Sequence, residues 1–346
     1  MSIDNVSRRI AIWLFICCFM IFVMVLLGGA TRLNHSGLSM VEWKPLSGML
    51  PPLTHDEWET TFHKYQQFPE FKQMNSDMDL EGFKSIFWLE YIHRIWGRAI
   101  GMVFFLPFLF FLLKGWVDKS LVPKLIIMFI LGGLQGLLGW YMVMSGLIDH
   151  PDVSQYRLTA HLGLAFLVYA YIFWVALDLL WPRPGGSGSI RISNRRWWLA
   201  MVLFILVFIT VLSGGFVAGT DAGFIYNTFP LMGDRLVPAG LFTLEPPIRN
   251  IFENVTTVQF NHRLLAFTIF TFVVVLWTTL LKIDLLPRAR LVVHFLLAAV
   301  VLQLILGIST LLLIVPVSLG VAHQAGALIL FTTALWTLHE FSFNQA

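Results

Sequence analysis

Ten histidines occur in the 346-residue chain, and four of them stand out by context. His93, His161, His262 and His323 each fall near the start of a long apolar stretch, where an ionisable side chain is costly and usually functional. In "EYIHR", Glu90 lies three residues before His93 and Arg94 directly after it. In "QFNHR", Gln259 and Arg263 take the same places around His262. Residues three apart share a helical face, so one imidazole is accompanied by a carboxylate and the other by an amide. Histidines paired on facing bundle helices suit a six-coordinate haem iron. A carboxylate beside such a site can exchange protons or stabilise a cation, which an amide cannot do. A single histidine of this kind reads more plainly as a hydrogen-bonded residue at a helix end, but four at corresponding places argue against that. A zinc or copper centre is disfavoured, because no cysteine or carboxylate cluster completes a metal shell in the second half.

The remaining candidates are less distinctive. His35, His55, His63 and His150 fall in outer loops, and His294 and His339 lie towards the cytoplasmic ends of the last two apolar stretches. Arg94 and Arg263 suit either haem propionates, by charge-assisted bonds, or lipid headgroups. Glu90 has a plainer alternative role as the ion-pair partner of Arg94 or Lys84. Gln135 and Gln303 are polar residues in the middle of apolar stretches and are expected to hydrogen-bond within the bundles. Gly97, Gly101, Ala165, Ala266 and Ala327 recur on the histidine face and are expected to leave room for a flat macrocycle.

The elements that must carry these residues are membrane spans. The chain is 57% hydrophobic and 12% charged, more apolar surface than a soluble fold can bury. Eight stretches, at roughly 10–29, 86–113, 125–148, 158–181, 197–218, 258–281, 291–314 and 318–338, reach the ~20 residues a helix needs to cross a bilayer. They do not alternate as barrel strands would. Lys and Arg concentrate in alternate short connections (Arg8 and Arg9; Lys114, Lys119 and Lys124; Arg183, Arg191, Arg195 and Arg196; Lys282, Arg288 and Arg290). By the positive-inside rule that side is cytoplasmic, as are both termini. The long loops 30–85 and 219–257, and all four histidines, then lie at the outer, periplasmic side of a bacterial inner membrane. The net charge of +3 reflects this topology and gives no sign of nucleic-acid binding. Cys17 and Cys18 are adjacent in the first span, where they are expected to act as small apolar filler and not as a disulfide. The first span carries no cleavable signal pattern and reads as retained.

The halves repeat each other. Gly28-Gly29, "EYIHR", "LQGLLG" and "AHLG" recur in order as Gly214-Gly215, "QFNHR", "LQLILG" and "AHQAG", at offsets of 186, 169, 168 and 162 residues. Each half starts on the same side, as in parallel repeats. The expected architecture is therefore all-α: eight transmembrane helices as two pseudo-symmetric four-helix bundles, 1–181 and 197–346, joined by a cytoplasmic linker over 182–196. The carboxylate places chemistry in the first bundle and an electron-transfer or structural haem in the second.

The chain resembles the haem A synthase family over nearly its whole length. The resemblance is carried by "GGATRLNHSGLSMVEWKPLSGMLPP" (28–52), "YQQFPEFKQMN" (65–75), "EYIHRIWGR" (90–98), "GGFVAGTDAGFIYNTFPLMG" (214–233) and "ENVTTVQFNHRLLA" (253–266), in the wording of the alphaproteobacterial and mitochondrial branch. It implies oxidation of the C8 methyl of haem O to a formyl group, through hydroxylated intermediates, to supply haem A for terminal oxidases. It further implies that Glu90 is needed for catalysis, that His93 and His161 hold the substrate haem, and that His262 and His323 bind a haem b. The implied partners are a haem O synthase as donor, an electron-transfer partner such as a ferredoxin or quinone, the cytochrome c oxidase assembly machinery and the lipid bilayer. Homo-oligomerisation is left open. Some members of the family have a cysteine pair in the outer loops; this chain has none there, so a disulfide relay does not transfer. The rival reading is a non-catalytic dihaem b-type electron-transfer cytochrome. It is disfavoured because all four histidines lie at one depth, whereas transmembrane electron transfer needs ligands near both faces. A transporter of parallel repeats would place its polar residues at mid-membrane instead.

Overall fold

The computed structural model describes residues 5–42, 50–147, 151–182 and 195–342. In chain order the helices are α1 (Asn5–Leu33), α2 (His55–Tyr65), α3 (Pro69–Met74), α4 (Leu80–Leu113), α5 (Val122–Met144), α6 (Gln155–Leu180), α7 (Arg195–Gly219), α8 (Asn250–Glu253), α9 (Val255–Leu280), α10 (Pro287–Leu312) and α11 (Val317–Phe341). All but α2, α3 and α8 are long and apolar enough to cross a membrane, eight in all, which gives the all-α polytopic class expected from the hydropathy. Each expected span coincides with one of these helices. Most of the linker expected over 182–196, with Arg183, Arg191 and also His150, lies outside the described residues.

The two outer loops are folded. Helix α4 begins at Leu80, earlier than the expected 86, with the Asp79 side chain capping it by accepting the Gly82 N–H at 2.8 Å. At 1.5 Å per residue its 34 residues run to about 51 Å, well beyond a ~30 Å hydrocarbon core. The outer turns are covered by α2. Trp58 meets Phe87 edge-on at 4.9 Å, and Tyr65 stacks on Phe83 at 5.2 Å, in one aromatic core. Trp58 and Tyr65 are seven residues apart, two turns, and with Phe62 form the apolar face of a helix that otherwise carries charged and polar side chains. A capping box between Thr54 and Glu57 starts α2. The segment "THDEWETTFHKYQQF" thus carries an amphipathic helix.

The second outer loop is organised by two asparagines. Buried Asn250 holds the backbone of Leu244 from both sides (2.9 and 2.7 Å), and Asn254 donates to Gly240 O and Thr243 Oγ1 at 2.9 Å each while capping α9. These bonds satisfy backbone groups that have no helix or strand to pair with.

Two compact units divide the chain, one of Phe19–Val168 and one of Met1–Cys18 with Tyr169–Ala346. In the first, α4 packs on α5, and Trp96 Nε1 on α4 donates to Met20 O on α1 at 2.9 Å. In the second, α7 packs on α9, α9 on α10, α10 on α11 and α11 on α7, closing a ring of four. There α6 joins α11 through Tyr169 Oη and Thr332 Oγ1 at 2.9 Å, and through Asp178 and His339 at 3.1 Å. His339 is fully buried and edge-on to Trp174. His294 accepts from Trp277 Nε1 at 3.0 Å. Each therefore makes a side-chain hydrogen bond, as expected of the histidines outside the four. Cys17 and Cys18 are free thiols in the core.

One buried carboxyl in the first outer loop sets a pH dependence. Glu70, 3% exposed, accepts from Tyr65 Oη at 3.0 Å, and that phenol accepts from Asn75 Nδ2 at 2.8 Å. Burial lifts the Glu70 carboxyl from 4.5 to about 8, with the Glu90 and Asp152 charges adding to the effect and the Tyr65 bond opposing it. A carboxyl with a raised folded-state pKa favours folding most below its unfolded value, and that advantage is lost as pH rises through the folded value. Amide exchange or proteolysis over residues 54–91 is therefore expected to quicken between pH 5 and pH 9, and Glu70→Gln is expected to abolish that change; an undiminished pH response in Glu70→Gln would rule this carboxyl out as its source.

Candidate functional site

The four repeated histidines sort into two pairs. His262 on α9 and His323 on α11 face each other with ring centroids 6.4 Å apart and planes at 84°. A metal ion bound by both imidazoles at about 2 Å each would set the centroids about 6 Å apart, so this pair fits an iron with two axial histidines. His323 Nδ1 is buried without a partner, whereas His262 Nδ1 meets Ser213 Oγ on α7 at 2.7 Å. His93 on α4 and His161 on α6 lie within electrostatic reach of each other. Gln135 on α5 donates Nε2 to His161 O at 3.0 Å and lies 3.2 Å from His161 Nδ1. This mid-span glutamine thus touches a site imidazole.

Each imidazole also lies against a glycine of a neighbouring helix. A methyl group on Gly28 would come 3.7 Å from His93 Cε1, and one on Gly214 3.3 Å from His262 Cε1. On Gly139 and Gly307 it would come within 2.8 Å of the Cε1 atoms of His161 and His323. The small residues that matter are therefore repeat landmarks on the helix opposite, and not all are those expected on the histidine's own helix. Gly101 faces open space, and Gly97 lies over Met24.

Glu90 is 3% exposed and accepts hydrogen bonds on both oxygens. Oε1 takes Arg94 Nε at 3.0 Å and also Arg94 Nη2; Oε2 takes Ser39 Oγ at 2.6 Å and Met40 N at 2.8 Å. Of the two ion-pair partners weighed for Glu90, Arg94 is the one it meets, while Lys84 pairs with Glu81. Arg94 Nη2 also donates to Met40 O at 2.9 Å, so the pair clamps the first outer loop to α4.

The second half repeats the clamp without the carboxylate. Arg263 donates to Tyr226 O at 2.6 Å, Thr228 O at 2.9 Å and Leu231 O at 3.3 Å, and Gln259 Nε2 donates to Tyr226 O at 3.1 Å. Both arginines thus hold loop carbonyls, a use that their sequence position did not announce. Arg263 Nε is buried and unpartnered, which leaves one donor over. Among the described residues, the one group of three potential metal ligands is His55, Asp56 and Glu59, exposed on α2 and separate from both pairs.

Comparison with known proteins bears on the whole chain. A family described as "Cytochrome oxidase assembly protein" (COX15-CtaA) matches residues 11–335. A protein named "Heme A synthase" from Nitrosospira multiformis is 56% identical over 97% of this chain and 94% of its own length. One of the same name from Paramagnetospirillum magneticum is 49% identical over 97% and 95%. "Heme A synthase COX15" of Bos taurus is 46% identical over 96% of this chain and 82% of its own length.

The clamp makes a prediction of its own. Arg263→Ala removes three charge-assisted bonds to loop carbonyls, each worth about 1.5–3 kcal/mol. The segment 226–231 is expected to become protease-sensitive, and Arg263→Lys to rescue it only in part, because an ammonium lacks the planar fork. Unchanged cleavage in both variants would show that the clamp is not what holds the loop.

Proposed function

The chain belongs to the COX15-CtaA family of cytochrome oxidase assembly proteins, and we propose that it works as a haem A synthase. It oxidises the C8 methyl of haem O to a formyl group through hydroxylated intermediates, supplying haem A to terminal oxidases. The name carried by relatives up to 56% identical supports this. The observation that carries the reading is the combination of two imidazole pairs with a buried carboxylate beside only one of them.

In this reading His93 and His161 hold the substrate haem O, and His262 and His323 are the ligands of a haem b. Haem b, when bound, supplies one-electron transfer. Arg263, and with it Arg94, adds positive charge for propionates beside the loops they grip. The two halves, 1–181 and 197–346, act as substrate and haem b bundles about the linker 182–196. The sites face the periplasm, and the termini the cytoplasm. A haem O synthase upstream, a ferredoxin or quinone as electron partner, and the oxidase assembly machinery complete the setting.

The protein's own chemistry is assigned to Glu90. Arg94 holds Oε1 and fixes the side chain in place. Oε2 is held more loosely, because the Ser39 hydroxyl has a single proton and two other acceptors near it, Ser36 O at 3.0 Å and Ile86 O at 3.4 Å. When that hydroxyl turns to Ser36, Oε2 gains a lone pair with which to take a proton from an attacking water or to face a cationic methyl centre. Gln259 offers neither service, and this assigns the second pair to electron transfer.

Two experiments test the proposal. Pigment extracted from the purified protein is expected to contain haem b together with haem O, haem A or a hydroxylated intermediate; haem b alone would favour the dihaem cytochrome. Glu90→Gln is expected to lower conversion of haem O by at least ~100-fold, the scale of a lost acid–base group, with haem b content unchanged. Full conversion in Glu90→Gln would remove the carboxylate from the mechanism.

A further inference from the structure

The two halves differ at a second position besides Glu90 and Gln259. Ser213 immediately precedes Gly214-Gly215 in α7; the corresponding residue before Gly28-Gly29 in α1 is Leu27. Ser213 Oγ lies 2.7 Å from His262 Nδ1 and donates to Thr210 O at 2.9 Å. A hydroxyl has one proton to give. With that proton committed to the Thr210 carbonyl, Ser213 accepts from His262, so Nδ1 carries hydrogen and Nε2 is left with a bare lone pair. Gly214, the next residue, lies against the Cε1 edge of the same ring. α7 therefore fixes the imidazole in both tautomer and orientation.

The first half lacks this arrangement. Leu27 has no polar side-chain atom to offer His93. His161 Nδ1 meets a donor. The Gln135 amide must present its NH2 group, because its other contact is a carbonyl oxygen, which can only accept. A donor at Nδ1 makes that nitrogen the acceptor and so works against ligation through Nε2.

We infer that Ser213 is a positioning residue for the second haem: by accepting the His262 Nδ1–H it makes His262 a pre-oriented and more basic axial ligand, and so makes the His262/His323 pair the resident site. The first pair, without such an acceptor, is a looser one, suited to a haem that enters as substrate and leaves as product. The inference rests on the proposed function, since it presumes haem b at the second pair. The physical basis is general: a hydrogen bond accepted from a ligating histidine's far nitrogen fixes the ring and increases its donation to the metal. Greater donation favours ferric over ferrous iron.

The test is a redox titration and a haem-retention assay on the purified full-length membrane protein carrying Ser213→Ala, with Ser213→Thr as the conservative variant. Ser213→Ala is expected to lose haem b affinity about tenfold. If that loss falls on the ferric form, the midpoint potential rises by about 59 mV, the one-electron equivalent of tenfold. Ser213→Thr, which keeps the hydroxyl, is expected to restore both. A role confined to helix packing would move neither readout, so an unchanged potential and retention in Ser213→Ala overturns the inference while leaving the proposed function standing. Wild-type protein without haem b, or with haem b that survives His262→Ala, would overturn both.

Discussion

The arrangement of both sites depends on how closely helices can approach the imidazoles. A histidine in an apolar span is tolerated only if its ring is placed against something specific, and here that something is a bare helix backbone. Gly139 and Gly307 leave so little space that even a methyl group would collide with the rings of His161 and His323. Gly28 and Gly214 do the same, less tightly, for His93 and His262. Close approach without a side chain is what small residues provide between membrane helices, where no hydrophobic effect drives association. The glycine landmarks of the repeat and its histidines are thus two sides of one contact, which explains why they recur together.

A second constraint comes from the outer loops, whose backbone groups have no sheet or long helix to join. In each half a side chain one residue after a site histidine reaches out to supply the missing donors: Arg94 to Met40 O, and Arg263 to Tyr226 O, Thr228 O and Leu231 O. The loop is therefore tied to the same helical turn as the imidazole. Any movement of the loop is felt at the site, and any group bound at the site bears on the loop. The first loop is tied differently, because Glu90 adds a carboxylate that accepts from both Ser39 and Met40. Its aromatic core on α2 and α4 then stiffens the attachment, with Trp58 and Phe87 in edge contact above the membrane-length part of α4.

The parts of this design with a period or a hydropathy were legible in the sequence. Spans declared themselves by apolar length, and the histidine pairs by a fourfold repeat that chance does not produce. The Glu90/Gln259 difference was visible for the same reason. What lay hidden involves partners that leave no mark in the sequence. Arg94 and Arg263 bind carbonyl oxygens, which every residue has, so their targets could not be read from residue types. Ser39 meets Glu90 across 51 positions, with no motif linking them. The start of α4 at Leu80 was not legible from hydropathy, because "LEGFKSIF" mixes charged and polar residues with aromatics that pack on α2. Gly101 faces open space, as a residue meant to leave room would, whereas the close glycine contacts of Gly28, Gly139, Gly214 and Gly307 come from neighbouring helices that helical spacing from each histidine does not reveal.

Under the proposed function, the sequence repeat suggests how one scaffold would hold two different haem chemistries. Both halves inherit the same imidazoles, glycines and loop-clamping arginines, so geometry alone does not distinguish them. Two local substitutions do. In the first half a carboxylate stands beside the ligand and a leucine behind its glycine; in the second an amide and a serine take those places. In the proposed function the carboxylate would supply a group able to move a proton at the methyl being oxidised, while Leu27 offers no side-chain hydrogen-bond acceptor to His93. The amide can move no proton, and Ser213 would make His262 a fixed donor to a bound metal. Each half thus gains one of reactivity or retention and lacks the other. That division follows from opposed requirements: a substrate haem must react and leave, and an electron-transfer haem must do neither.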